Sequence, residues 1–163
     1  MEKIDYLNYK RPSDFLKFEP GKTTIRIVSS GGLSKKHGMK TARGYIPMGE
    51  CTGSGCEQCQ KGSEPKLKFT WVCLDRTNSK VGILESGPQL GNQICELAKS
   101  LQKDPREFDL VVLRSGTGKD SSYKVTKAVQ NSELTPEESA KVAAEKPYLI
   151  RKYFDSDTKK KTE

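Results

Sequence analysis

The sequence predicts a small, mainly β domain: a five-stranded Greek-key barrel of the OB type, with an inserted metal-binding loop and two or three short helices. Three observations carry this. Apolar and polar residues alternate over several short runs, the period of half-buried strands. Hydrophobic residues make up only 33% of the 163 and charged residues 31%, which suits a modest core under polar loops better than a large α/β enzyme. Three cysteines and the only histidine fall in a long stretch without periodicity, where a metal ion can replace missing core. The length suits one cooperative domain rather than two.

Residues 1–21 read as a lead-in arm that mixes Tyr6, Tyr9, Phe15 and Phe18 with Lys10, Arg11 and Lys17 and ends at the turn signal Pro20-Gly21. Thr23 to Ser29 is the first strand, with Ile25 and Ile27 on one face. Residues 30–66 form the loop, with one short strand signal from Arg43 to Pro47. Alternation returns from Leu67 to Arg76, where Leu67, Phe69, Trp71 and Cys73 share a face; Thr77-Asn78-Ser79 then turns the chain into a strand from Lys80 to Glu85. Pro88 to Gln102 carries Leu90, Ile94, Leu97, Ala98 and Leu101 at helical spacing, with Pro88 suited to a first turn. Phe108 to Arg114 and Tyr123 to Val129 are strands joined by the hairpin Ser115 to Ser122. Thr135 followed by Glu138 is a capping box, so a helix should run to about Lys146. The expected organisation is an arm at 1–21, a core at 22–130 with the insertion at about 31–66, a helix at 131–147 and a flexible tail at 148–163.

Charge narrows the partner classes. The chain carries 29 Lys and Arg against 21 Asp and Glu, a net +8, and the excess lies in the first half: 15 basic against 8 acidic residues over 1–80, and 14 against 13 over 81–163. A positive face attracts polyanions, which makes nucleic acid, anionic lipid and acidic proteins the classes to weigh. No apolar run approaches the length of a membrane span and residues 1–5 lack the apolar stretch of a signal peptide, so a cytoplasmic location is expected. Five cysteines in that reducing compartment point away from a disulfide framework.

His37, Cys51, Cys56 and Cys59 form the one cluster of soft ligands, and Cys56-x-x-Cys59 lets two thiolates reach one ion. Four such ligands would close a tetrahedral zinc site with no open position, a structural role. Rival readings are free thiols, a [2Fe-2S] cluster using Cys73 or Cys95 as fourth ligand, and a thioredoxin-like pair. Cys73 is also an alternative to His37 at zinc, and both Cys73 and Cys95 otherwise read as small buried hydrophobes. With one histidine, no nucleophile–base pair and a closed metal site, the chain does not read as an enzyme. Gly116-x-Gly118-Lys119 lacks the other residues of a phosphate-binding loop and reads as a hairpin turn.

Sequence-independent binding of single strands needs cations along the phosphates and rings for bases to stack on. Candidate contacts are Arg26, Lys35, Lys36, Lys40, Arg43, Tyr45, Lys61, Lys66, Lys68, Phe69, Trp71, Arg76, Lys80, Lys119, Tyr123 and Lys124. Burial of Phe69 and Trp71 in the core is the competing expectation for those two rings. An RNA-binding or ribosomal-type zinc protein remains an alternative.

The order of these features is that of a known family. An Ile-Arg-Ile strand, a basic loop with His37, the Cys-x4-Cys-x2-Cys knuckle and Trp71-Val-Cys-Leu-Asp75 lead into Lys80-Val-Gly-Ile-Leu-Glu85. The helix at 89–101, Phe108-Asp-Leu-Val-Val-Leu-Arg114 and Tyr123-Lys-Val-Thr126 follow. Over roughly residues 22–130 the chain resembles the zinc-containing single-stranded DNA-binding, or helix-destabilising, proteins of tailed bacteriophages. The resemblance implies an OB-fold core, one zinc ion held by His37, Cys51, Cys56 and Cys59, and a basic cleft for single-stranded DNA. It also implies work in phage DNA replication, recombination and repair in the host bacterial cytoplasm, with phage replication and recombination proteins as partners and cooperative self-association on DNA. Two features depart from the family pattern. The tail sets Arg151, Lys152 and Lys159–Lys161 against Asp155, Asp157 and Glu163 where the family has an acidic tail, and only Lys10-Arg11 hints at the family's basic N-terminal arm.

Overall fold

The computed structural model describes residues 3, 5–7 and 13–154; the side chains of Lys40, Tyr45 and Lys119 lie outside that description. Seven antiparallel strands build one open sheet: β1 (Gly21–Ile27), β2 (Gly32–Thr41), β3 (Gly44–Glu50), β4 (Lys66–Asp75), β5 (Lys80–Ser86), β6 (Asp109–Ser115) and β7 (Ser122–Lys127). Three helices accompany it: α1 (Glu57–Gln60), α2 (Pro88–Leu101) and α3 (Pro136–Tyr153). The strand order is β3-β2-β4-β1-β6-β7, with β5 on the other edge of β4.

β4 is the spine of this sheet. Its first half pairs with β2 from Lys66 to Thr70, its end pairs with β1 from Cys73 to Asp75, and β5 runs along its opposite edge. β1 and β2 therefore lie end to end along one side of β4. At the break between them the Ser29 hydroxyl accepts a hydrogen bond from the Val72 N–H at 2.9 Å. A Cβ on Gly31 would lie 2.5 Å from the Trp71 indole nitrogen, so the chain passes flat against that ring.

Both faces of β4 are covered, which explains its nearly unbroken burial from Phe69 to Asp75. On one face Phe69, Trp71 and Cys73 pack with Ile25, Ile27, Leu84, Phe108, Leu110 and Val112, and α2 adds Leu90 and Ile94. α2 comes so close that a Cβ on Gly91 would clash with the Phe69 ring, 2.2 Å from its nearest carbon. On the other face Val72 and Ile83 pack against Leu149 of α3, flanked by Phe15, Val28, Tyr148 and Tyr153.

Several expectations are corrected here. Among the described residues there are seven strands, not five: β2 is additional to the expected set, and the signal at Arg43–Pro47 becomes the full strand β3. β2 lacks an apolar period of its own and is fixed by pairing with β4 on one side and β3 on the other. The expected arm is partly built into the fold. Phe18 is buried in the main core, and the Leu16 N–H bonds the Ile83 carbonyl at 2.8 Å. Lys10-Arg11 and residues 155–163 lie outside the described residues.

α3 does not stop near Lys146 but runs through Pro147 to Tyr153. An internal proline costs a helix about 3 kcal/mol through the lost N–H and the clash with the preceding turn. Burial of Leu149, with Tyr148, Ile150 and Tyr153 beside it, offsets that cost. Lys152 and the Tyr153 hydroxyl then both donate to Asp14 Oδ2 at 2.8 Å, clasping the segment before β1 to the end of α3. Leu149 is 1% exposed, and Leu149→Ala is expected to lower unfolding free energy by about 2–5 kcal/mol in urea denaturation.

Candidate metal centre and nucleic-acid interface

Four potential metal ligands assemble at the base of the β2–β3 hairpin. The register of that pair shifts between Lys36 and Gly38: Met48 and Gly49 of β3 bulge opposite the single residue His37, which is turned inward and is 1% exposed. One residue past β3 the Cys51 N–H bonds the Lys35 carbonyl at 2.8 Å, which brings the first thiol beside the histidine. Between Cys51 and Cys56 the chain reverses through Gly53 and Gly55, both at φ +86°, a conformation that a side chain would strain. Cys56 caps the single turn α1, and Cys59 lies on that turn. The Ser63 N–H then closes on the Gln58 carbonyl at 3.0 Å, returning Ser63 to His37.

One ligand atom from each of His37, Cys51, Cys56 and Cys59 falls within 4.8 Å of the others. His37 Nε2 lies 3.4 Å from both Cys56 Sγ and Cys59 Sγ, and Cys51 Sγ lies 3.6 Å from Cys59 Sγ. A four-coordinate ion with sulfur ligands at about 2.3 Å sets neighbouring donors about 3.5–3.8 Å apart, so this set fits one metal ion. The ring's other nitrogen, Nδ1, lies 3.0 Å from Ser63 Oγ. Donation to Ser63 would fix the tautomer that leaves Nε2 free to bind metal. Ser63→Ala is therefore expected to weaken metal binding by about 10–100-fold in competition with a chelator, with the fold retained.

The thiols are electrostatically unequal. Backbone N–H groups, that of Cys59 first and then Thr52, hold Cys56 down to about 5. Cys59 is pushed up to about 11 by its hydrogen bond with Cys51, by desolvation and by its crowded sulfur neighbours. Crowded thiolates favour a bound cation, which removes their mutual repulsion. The alternative ligands lie elsewhere. Cys73 is fully buried in the main core, and burial raises its thiol strongly. Cys95, expected to be buried, is instead exposed on α2.

The expected nucleic-acid contacts divide. Phe69 and Trp71 are 9% and 5% exposed and stack on each other at 5.8 Å, so these rings fill the core and are not free for bases. Arg26 and Arg76 are also corrected. Asp109, 3% exposed, accepts from Arg26 Nε at 2.8 Å and from Arg76 Nη1 at 2.7 Å, and Glu138 accepts from Arg76 Nε and Nη2 at 2.9 Å. These arginines bind the sheet to the segment before α3. Lys80 donates to the Ser13 carbonyl at 2.8 Å, and Lys36 pairs with Glu85 at 3.2 Å.

Lys35, Arg43, Lys61, Lys66 and Lys124 are exposed, Lys68 and Tyr123 are half-buried, and among the described residues no ion pair ties any of these cations. Lys35 shares the sheet face of Leu67 and Phe69, whereas Lys66 and Lys68 lie on the opposite face with Lys36. Sequence reasoning missed the exposed apolar side chains Leu33, Met39, Ile46 and Met48, all on β2 and β3, because neither strand has a periodic pattern. No helix among the described residues is long and apolar enough to cross a membrane. No protein-family model matches the chain, and no curated protein matches it.

Proposed function

We propose that this chain binds single-stranded DNA without regard to sequence and that one structural zinc ion fixes the shape of its binding surface. The observation that carries the reading is the hairpin β2–β3, pinned at its base by a closed His/Cys3 set. Around it stand the exposed cations Lys35, Arg43, Lys61 and Lys66, which no carboxylate among the described residues neutralises, and the exposed apolar side chains Leu33, Met39 and Ile46. Cations follow a phosphate chain, and apolar side chains cover unstacked bases. Zinc suits the donor set, because three sulfurs and one imidazole complete a tetrahedron and leave no position for water. A two-iron cluster would have to divide the same ligands between two metals, which this tight grouping disfavours.

We also read the sheet as an elaborated OB core. The pairings of β1 with β4 and β6, of β4 with β5 and of β6 with β7 support this, as does the position of α2 between β5 and β6. Phage DNA replication, recombination and repair, with replication and recombination proteins as partners and cooperative self-association on the strand, belong to the same proposal.

Fluorescence anisotropy with labelled oligo(dT) tests the reading. Binding is expected to weaken with salt at a log–log slope of about −0.7 per phosphate neutralised. Charge reversal at Lys35 and Lys66 should flatten that slope. A salt-independent response, or none, removes the proposal; stronger binding to oligo(U) moves it to RNA.

A further inference from the structure

Away from the metal, a groove of about 570 Å³ opens between the start of α2, the end of β5 and the β6–β7 hairpin. Three of its features point to an anionic ligand. The Ser86 hydroxyl lines the groove and has no hydrogen-bond partner, although the residue is only 8% exposed. Arg114 also lines it. Its Nη1 donates to the Phe18 carbonyl and its Nη2 to Ser121, while its buried Nε has no partner. Next to Ser86, α2 begins at Gly87 with no side-chain cap, so the N–H groups of Gln89 and Leu90 have no acceptor within the helix.

Tyr123 supplies the ring. It pairs across the hairpin with Arg114, so their side chains leave the sheet on the same face. Gln93 holds these parts in place: its Nε2 donates to the Gln89 and Tyr123 carbonyls, and its Oε1 accepts from the Val125 N–H. The helix start and the tyrosine are thus fixed to each other before any ligand arrives. Two carboxylates also line the groove. Glu85 pairs with Lys36, and Glu19 and Lys17, both exposed, line the outer part of the groove.

We propose that this groove seats one nucleotide, its phosphate on Arg114, the Ser86 hydroxyl and the N–H groups of Gln89 and Leu90, its base against Tyr123. A helix start with free N–H groups favours an anion, and a guanidinium adds directed donors. The inference rests on the single-strand reading for the source of the nucleotide, and it locates part of the path away from the metal hairpin.

The test is a set of NMR titrations of the zinc-loaded chain with inorganic phosphate, thymidine 5′-monophosphate and an eight-residue oligo(dT). The nucleotide and the oligomer should both shift the Gln89 and Leu90 amides and the Arg114 Nε resonance, with phosphate alone sparing Tyr123. Tyr123→Leu should weaken oligomer binding about tenfold. Ser86→Ala removes only an unbonded hydroxyl, so it should leave stability unchanged and weaken the monophosphate about threefold. If the oligomer binds and the groove amides stay still, the inference is wrong and the single-strand reading survives. If the monophosphate shifts these amides but the oligomer does not bind, the groove stands as a nucleotide site and the single-strand reading falls. Silence from all three ligands overturns both.

Discussion

Cys56→Ser is expected to release the metal and unfold residues 31–66 while the rest of the sheet stays folded. Loss of a partner behind a ligand already costs about 10–100-fold in metal affinity, so loss of a ligand should exceed about 100-fold. Beyond the backbone pairing of β2 with β4 and the Lys36–Glu85 ion pair, the insertion has little else to hold it. Its apolar side chains Met39, Ile46 and Met48 face solvent, and α1 buries none of its own residues. The main core contains no residue from β2 or β3, so Ile25, Trp71, Leu110 and their neighbours keep their contacts. Metal analysis of the variant should give well under one ion per chain, and limited proteolysis should cut inside 31–66 only. Uncut protein would show that the metal is dispensable to the hairpin.

The same centre should respond to acid. In the metal-free form Cys59, held at about 11, carries its proton at neutral pH, whereas Cys56, held at about 5, does not. Metal uptake near neutrality must therefore displace the Cys59 proton. Affinity rises with pH up to about 11 and falls as pH drops, more steeply below about 5, where Cys56 also protonates. A zinc titration followed by proton release at several pH values checks the sign.

Asp109→Ala should be the most damaging change outside the metal centre. Its carboxylate is 3% exposed and holds two arginines, Arg26 of β1 and Arg76 just past the end of β4. Removing it leaves buried positive charge without its counterion, a loss of about 3–5 kcal/mol in comparable buried pairs. Only part of the network remains: Arg26 keeps Asn131 and the Ser132 carbonyl, and Arg76 keeps Glu138. Urea denaturation measures the change, and a difference below 1 kcal/mol (about fivefold in the folding equilibrium) would show that solvent reaches the site. The pH dependence has a defined sign. Arg76, followed by the Thr135 N–H, holds Glu138 below its ordinary range, so its contribution is present above the ordinary glutamate range and fades as acid protonates it.

These particulars show what a linear sequence discloses. The alternation in β4 and the helical spacing in α2 were legible because each element buries a periodic face. The four ligands were legible because they lie within 23 positions of one another and their side chains have little other use at that spacing. β2 was not, since Ser34-Lys-Lys-His37 has no period and its place comes from strands on both sides. Arg26 and Arg76 read as contacts for phosphate because their partner Asp109 lies 83 and 33 residues away. The end of α3 was misplaced because Pro147 is a local signal to stop, whereas the gain from Leu149 depends on Val72 and Ile83.

The outer strand β3 carries a further consequence. Among the described residues it ends the sheet with one edge unpaired and with Ile46 and Met48 exposed, a combination that invites copies of a chain to stick together edge to edge. Pro47 and the bulge opposite His37 interrupt that edge within a few residues, so an incoming strand meets an irregular row of donors. The irregularity that turns the histidine toward the thiols thus also guards the protein's solubility, and a mutation that smooths it would threaten both.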